Sequence, residues 1–243
     1  MAKDRSNLYY LGVGCLIVGI LLATGLAVFV FFAYRWSQGV EEAMKDPEVR
    51  RQRVLEILVA DELPDGYHAM VGLTVPYFLD IAILTNEDPH EQEELPDLGE
   101  RGLIYVAFRD LGRDRQELER FFAGELSDPE VLERHNIDLD LRERIHRGVV
   151  EHPIGAIPWV SHRGEIHAVQ TGGRHRGLTT LFSVDCGGDY DRVGIWFGPD
   201  VASGDGSRDT VDGPPSAAAR WVGTVADADA VGDFLSHFRF CPP

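Results

Sequence analysis

The distribution of apolar residues along the chain sets its N-terminal part apart from the rest. From Leu8 to Tyr34 the sequence reads LYYLGVGCLIVGILLATGLAVFVFFAY and contains no charged residue. About 20 apolar residues are enough for a helix to cross the ~30 Å hydrocarbon core of a bilayer. The pattern therefore predicts an N-terminal tail over residues 1–7 and a transmembrane helix over residues 8–34.

Two other interpretations of the apolar segment at residues 8–34 agree less well with its sequence than a retained membrane anchor does. A cleaved signal peptide has an apolar core of roughly 7 to 15 residues followed by small residues. The run here is longer and ends in bulky aromatic residues followed by Arg35, which is typical of a membrane interface. A lipid-modified Cys15 is the other alternative, but the apolar stretch before it is short. We therefore expect a single-pass signal anchor in the lipid bilayer.

Basic residues flank both ends of the predicted anchor. Lys3 and Arg5 precede it, whereas Arg35 and several further arginines come after it. A bare count of basic residues would place the C-terminal part in the cytoplasm. Most of the later arginines, however, come after the acidic pair at 41–42 and within a predicted helix. Short N-terminal anchors usually export the polypeptide on their C-terminal side, so we expect the domain to be extracytoplasmic.

Small residues recur every four positions on one face of the predicted transmembrane helix: Cys15, Gly19, Ala23 and Ala27. This spacing lets two such helices approach closely. It allows weak homo-oligomerisation or contact with a protein partner through Gly19, Ala23 and Ala27. Glycine and alanine are also common in any transmembrane helix, which is the simpler explanation.

Residues 35–62 are predicted to form a juxtamembrane linker that contains an amphipathic helix. Asp46 is suited to the N-cap of this helix, and Pro47 to its first position. The next apolar residues fall on one stripe: Val54, Ile57 and Leu58. Turn residues after position 63 end the helical pattern.

The remaining residues, 63–243, carry the pattern of one α+β domain. Runs rich in β-branched and aromatic residues predict seven strands: HAMVGLTVPYF, LDIAILTN, RGLIYVAFRD, AIPWVSHRG, EIHAVQTGG, GLTTLFSVDC and RVGIWFGP. Helical periodicity is found over residues 114–126, from Asp128 onward and over 227–238. Residues 139–150 are ambiguous, and we expect a helix followed by a strand there.

Glycine-containing turns separate the later strands, at 163–164, 172–173 and 187–188. Short turns of this kind join neighbouring antiparallel strands. The order of elements therefore predicts an antiparallel sheet with helices packed against it.

The domain resembles the PsbP-like superfamily over about residues 63–240. The resemblance rests on LPDGYHAMVGLTVP as the opening strand, on the meander over residues 165–198, and on the closing helix DADAVGDFLSHFRF. It implies an α+β domain used for binding or assembly, with no catalytic residues shared across the superfamily, so no site residue is carried over. The chain is also similar to single-pass bacterial membrane proteins.

The charge of the chain excludes some classes of partner. A net charge of −17 argues against nucleic acid, whose binding relies on lysine and arginine, and against broad contact with anionic lipid. The acidic residues over 87–100, and Asp200, Asp205, Asp209 and Asp212, match no calcium-loop spacing. Phosphate-loop, dinucleotide-binding and nucleophile-elbow motifs are missing from the sequence. No cofactor is therefore predicted.

Cysteine and histidine are the remaining candidates for chemistry. Cys186 and Cys241 lie outside the predicted anchor, and in an oxidising compartment they can form a disulfide. Closing the loop between them would stabilise the fold by up to ~4 kcal/mol. Two free thiols are the alternative, in which case Cys186 beside Asp185 is a candidate nucleophile. Three histidines lie close in sequence and could include metal ligands: His162, His167 and His175. A turn at 163–164 would place His162 opposite His167.

These patterns favour a membrane-tethered interaction or scaffold protein that is not an enzyme, with no catalytic, cofactor-binding or metal residue assigned. The alternative is a membrane-anchored enzyme or metal-binding protein that uses His162 and His167 or Cys186. The two hypotheses predict different geometry, because a site needs polar groups that converge on a cavity.

Overall fold

A computed structural model describes residues 46–88, 98–109, 115–126, 139–167, 174–200 and 221–242. The predicted anchor at 8–34 and the helix expected from Asp128 lie outside these residues. In the part that is described, no helix has the length and apolar character needed to span a membrane. A compact unit begins at Pro47.

The described part contains three helices and one antiparallel sheet of seven strands. The helices are α1 (Pro47–Leu58), α2 (Arg115–Phe122) and α3 (Ala228–Ser236). The strands are β1 (His68–Val75), β2 (Leu79–Thr85), β3 (Gly102–Arg109), β4 (Leu139–His152), β5 (Gly155–His167), β6 (Arg174–Val184) and β7 (Tyr190–Gly198). This confirms the prediction of an α+β domain with an antiparallel sheet.

The sheet is built from two meanders that meet in its interior. Its strand order is β1-β2-β3-β7-β6-β5-β4. Strands β1 to β3 follow one another, as do β4 to β7, and β3 pairs with β7 from Gly102 opposite Phe197 to Arg109 opposite Tyr190. The turn between β6 and β7 uses Gly187 and Gly188 at positive φ, as the glycine pair in the sequence indicated.

Two local predictions are wrong in the region of β4 and β5. The segment expected to begin as a helix at Leu139 is strand throughout, paired along its length with β5. Its arginines and glutamates favour a helix in isolation, but they also suit an edge strand, where charge discourages pairing with another chain. Gly164 does not turn the chain, because β5 continues to His167. A Cβ at Gly164 would lie 2.5 Å from the Asp140 carbonyl oxygen, so this glycine permits close strand approach.

Helix α1, which the sequence analysis placed in the linker, packs on β1 and β2. Val54 and Leu58 of the predicted stripe are fully buried. A Cβ at Gly72 on β1 would lie 2.9 Å from the Cβ of Arg53, which shows how closely the helix approaches the strand. The predicted division between a linker ending at residue 62 and a domain beginning at residue 63 places α1 in the linker. In the structure, α1 contributes to the core of the domain.

The helices cover both faces of the sheet. Helices α1 and α3 share one core with Trp159 and Trp196, whose ring stacks on Phe234 at 4.2 Å. Successive residues of a strand point to opposite faces, so β5 places His162 on the other face. There Phe121 of α2 stacks on its ring. Helices α2 and α3 and the residue two positions after α3 bury a row of apolar side chains: Leu118, Phe121, Phe122, Val231, Phe234, Leu235 and Phe238.

The C-terminal residues are fixed to the end of α1 and to the turn after β6. Phe240 is buried, and its N–H donates to the Leu58 carbonyl oxygen at 2.9 Å. Arg239 pairs with Asp61. Cys241 forms a disulfide with Cys186, and their Cα atoms are 5.4 Å apart. The sequence allowed either a disulfide or two free thiols, and the structure contains the disulfide.

The turn between β1 and β2 carries an exposed aromatic residue in a strained conformation. The Phe78 N–H donates to the Val75 carbonyl oxygen at 3.0 Å, with Pro76 and Tyr77 between them. Tyr77 has φ of 70° and is 77% exposed. Glycine is the usual residue at this position of a type II turn, so the conformation of Tyr77 is strained.

Candidate functional site

The histidines singled out by the sequence are not brought together as expected. His162 and His167 lie on the same strand, where His162 pairs with Thr179 and His167 with Arg174. The prediction that they face each other across a turn is therefore wrong. The side chains of His167 and His175 lie outside the described part. Among the described residues, no three histidine, cysteine, aspartate or glutamate side chains are placed to hold a metal.

Cys186 is not a candidate nucleophile in this structure. Its sulfur is bonded to Cys241, whereas a nucleophilic cysteine reacts as the thiolate. The Asp185 carboxylate that precedes it accepts a hydrogen bond from the Gly187 N–H at 2.8 Å. Asp185 therefore shapes the turn after β6.

The acidic segments of the sequence lie largely outside the described residues, with Asp200 as an exception. Its Oδ2 accepts a hydrogen bond from Arg163 Nε at 2.6 Å. Arg163 also pairs with Glu143 at 2.6 Å and lies over the ring of Trp221. Asp200 therefore takes part in an ion-pair network that ties β5 to the segments around it.

An open cleft of about 530 Å³ lies between α2 and the ends of β4 to β7; we name it the α2 cleft. Its volume is within the range of ligand sites in proteins, about 300–1,000 Å³. Apolar side chains from α2, β4 and β5 form its floor: Leu118, Phe122, Val149 and Pro158. Charged side chains surround them: Arg115, Glu119, Arg147, Asp185, Asp191 and Arg192. The cleft thus has an apolar centre and a rim of mixed charge.

The N-terminal end of α2 is fixed to the sheet by a buried ion pair. Arg115 Nε donates to Asp191 Oδ1 at 2.7 Å, and its Nη2 donates to the carbonyl oxygens of Gly188 and Tyr190. The Asp191 side chain is almost completely buried. Breaking such a pair leaves a buried charge without compensation, which is strongly destabilising. Arg115 therefore holds α2 in place on β7.

The other end of α2 is held by Arg147 on β4. Its Nη1 donates to the Ala123 carbonyl oxygen at 2.8 Å, beyond the last turn of the helix. A cation at a helix C-terminus also interacts favourably with the helix dipole. Because both ends of α2 are tied to different strands, the α2 cleft is preformed.

A second, smaller cavity of about 210 Å³ lies on the same face of the sheet; we name it the His162 pocket. Its lining includes Phe121, Leu126, Leu141, Arg144 and His162. The Phe121 ring stacks on the His162 ring at 6.4 Å with 12° between their planes.

The His162 imidazole is buried without a polar partner. The residue is 9% exposed, and neither ring nitrogen has a hydrogen-bond partner among the described groups. Burial, assisted by the nearby positive charge of Arg144, lowers the pKa of His162 to about 4. The imidazole is therefore neutral at neutral pH. Thr179, opposite His162 on β6, likewise has a buried hydroxyl without a partner among the described groups.

Sequence reasoning identified His162 but missed the groups around both cavities. Arg115 and Asp191 are separated by 76 residues, and Arg147 and Ala123 by 24. Pairs this far apart leave no local motif. The one signal in the sequence is the aspartate at position 191, two residues before the apolar run of β7 that begins at Val193.

No protein-family model, curated protein or solved structure matches this chain. The α2 cleft and the His162 pocket are therefore interpreted from their own geometry and charge.

Proposed function

We propose that the protein is a membrane-tethered, non-catalytic interaction protein. Residues 8–34 anchor it in the bilayer, and the domain, outside the cytoplasm, holds a segment of a protein partner in the α2 cleft. The observation that carries this proposal is the composition of the cleft, an apolar floor inside a polar rim. Protein interfaces have the same arrangement, with a largely uncharged centre and a solvated polar edge.

Val149 supports a protein segment as the occupant. It is a large apolar residue in the floor of the cleft, and it is 58% exposed. An apolar side chain of a partner would remove this surface from water, which is favourable by roughly 25 cal/mol per Å². Apart from the Arg115–Asp191 ion pair, whose carboxylate is buried, two arginines and two carboxylates line the rim, so we expect a segment of low net charge.

The rigidity of α2 also favours binding. Arg115 and Arg147 hold its two ends, so little conformational freedom is lost when a partner enters. Binding to a preformed site avoids part of the entropy cost of association. Interfaces of this type usually change little between the free and the bound protein.

The disulfide between Cys186 and Cys241 supports a location outside the cytoplasm. Disulfides persist in oxidising compartments, while cytosolic thiols are kept reduced. The α+β plan is in line with the PsbP-like resemblance and with the binding or assembly role that it implies, and that resemblance stays a prediction.

Site-specific photo-crosslinking in the membrane-bound full chain tests this proposal. A photoreactive residue replaces Ala156 at the cleft, or Ser236 on α3 as a control, since both positions are exposed. We expect a discrete adduct from the cleft position only. Val149→Asp should abolish the adduct, because a charge in the apolar floor disfavours burial of a partner side chain.

Val222→Asp is the matched control. Val222 is also an exposed valine, 72% exposed, and it is not part of the cleft lining. It should leave the adduct unchanged. Equal adducts from both photoreactive positions, or an adduct that survives Val149→Asp, would contradict the proposal. Recovery of the chain in the supernatant after sedimentation of membranes would refute the tether separately.

A further inference from the structure

The turn between β1 and β2 presents two neighbouring aromatic side chains to solvent. Tyr77 is 77% exposed and Phe78 is 59% exposed; we name residues 76–78 the aromatic tip. In the described part of the chain, the other large apolar side chains that are exposed are Val149 in the α2 cleft and Val222. Tyrosine is enriched among the residues that dominate the binding energy of protein interfaces. The aromatic tip is therefore a candidate contact surface.

The backbone of the aromatic tip is fixed. The Phe78 N–H donates to the Val75 carbonyl oxygen at 3.0 Å, and the Phe78 carbonyl oxygen accepts a hydrogen bond from the Arg109 N–H at 3.0 Å. Tyr77 keeps a φ of 70°, a conformation that is costly for a residue other than glycine. Strained residues of this kind cluster at sites of function. A fixed tip also loses little conformational freedom on binding, because tyrosine has few side-chain torsions.

The aromatic tip belongs to an uncharged stretch of the chain. Residues 69–79 contain no acidic or basic side chain. Arg109, whose N–H contacts the tip, forms an ion pair with Asp189 at 3.5 Å. The rim of the α2 cleft favours a segment of low net charge. The tip has the charge that the cleft requires.

The α2 cleft has room for both aromatic side chains. Its volume is about 530 Å³, and cavities of about 300–1,000 Å³ hold drug-sized molecules, which are larger than two such side chains. Val149 in its floor is exposed and offers an apolar surface to an aromatic ring. Within one copy of the chain, Tyr77 and Phe78 do not line the cleft. A tip that enters the cleft therefore comes from another copy.

We propose that the aromatic tip of one copy of this chain binds in the α2 cleft of a second copy. The inference rests on the proposed function of the cleft and names its partner. Each copy contributes one tip and one cleft, so the contact is heterologous and either closes into a ring or extends to further copies. An interface of this size is small and typical of transient contacts. Anchoring of the copies in one bilayer raises their effective concentration and favours the contact.

Photo-crosslinking between two differently tagged copies of the full chain in membranes tests the inference. The first copy carries a photoreactive residue in place of Ala156 at the cleft, and the second copy carries none. We expect an adduct that contains both tags. Tyr77→Gly in the second copy should reduce the yield of this adduct about tenfold. Val149→Asp in the first copy should remove it, because a charge in the apolar floor disfavours burial of a ring.

Folding and specificity have separate controls. Glycine adopts positive φ without strain, so Tyr77→Gly keeps the turn, and a urea midpoint no lower than that of the wild type should show that the domain is intact. Val222→Gly in the second copy is the matched substitution, because it removes an exposed apolar side chain that belongs to neither the tip nor the cleft lining. It should leave the yield of the adduct unchanged.

The possible outcomes separate this inference from the proposed function of the cleft. An adduct that joins the cleft only to a protein other than this chain would overturn the inference and leave the proposed function standing. An adduct of two copies whose yield is unchanged by Tyr77→Gly would do the same, since another segment would then occupy the cleft. Lack of any adduct from the cleft position, or an adduct that survives Val149→Asp, would refute the proposed function and this inference together.

Discussion

Removing the disulfide between Cys186 and Cys241 should destabilise the domain by about 4 kcal/mol. The two cysteines are separated by 55 positions in the sequence. A cross-link over a loop of this length lowers the conformational entropy of the unfolded chain, and the loop-closure relation gives about 14 cal/mol/K, or ~4 kcal/mol at room temperature. Total stabilities of about 5–15 kcal/mol are usual, so this loss is a large fraction.

Urea unfolding of the full chain, followed by tryptophan fluorescence, measures the loss. Trp159 and Trp196 are buried and report on the core. We compare wild type with the double variant Cys186→Ala/Cys241→Ala, each with and without reductant. The midpoint should fall by about 2 M urea in the double variant, given a slope of about 2 kcal/mol/M. Reductant should lower the wild type to the same midpoint.

Cys15→Ala is the matched control for this experiment, because Cys15 lies in the predicted anchor and outside the described domain. It should keep both the stability and the response to reductant of the wild type. A loss smaller than about 1 kcal/mol in the double variant would refute the entropy argument. So would a wild-type midpoint that reductant leaves unchanged.

Three further substitutions have defined outcomes. Folding lowers the pKa of His162 from 6.5 to about 4. Between these two pH values the unfolded chain binds a proton that the native domain does not. The free energy of unfolding should therefore drop by up to ~3 kcal/mol as the pH falls from 6.5 to 4. Denaturation across this range should show that His162→Gln loses this dependence, whereas a replacement of the exposed His68 keeps it. Tyr77→Gly should raise the free energy of unfolding by about 1 kcal/mol, since glycine adopts positive φ without strain; an unchanged midpoint would contradict this. Gly194→Ala should lower the free energy of unfolding by about 1–3 kcal/mol, because the alanine Cβ would overlap the ring of Phe182 on the neighbouring strand. A variant as stable as the wild type would show that the ring can move aside.

The sequence predicted the elements whose signals are local. Strands β1, β2 and β3 are runs of β-branched and aromatic residues. Asp227 is the N-cap of α3, and its side chain accepts a hydrogen bond from the Asp229 N–H. Strand β4 was missed in its first half because its arginines and glutamates favour a helix in isolation. Pairing with β5 over its full length decides its conformation, and this is a tertiary effect.

The candidate sites could be predicted only in part. His162 was identified as a chemical candidate, but its buried, neutral state depends on Phe121 and Arg144, which come from other elements. The alignment of Arg144 with His162 depends on an irregularity in the pairing of β4 with β5 between Arg144 and His146, which no sequence pattern indicates. The α2 cleft depends on a helix fixed to strands distant in sequence, so it could not be predicted at all.

The closure of the domain by its last residues has a consequence for biosynthesis. Strands β1 to β3 emerge from the ribosome long before β7, which pairs with β3, and before Phe240, whose N–H donates to the Leu58 carbonyl oxygen. Until then, the edge of β3 that pairs with β7 has no native partner, and unpaired strand edges are prone to aggregate. The polypeptide therefore cannot reach its final shape until Phe240 and Cys241 have been synthesised.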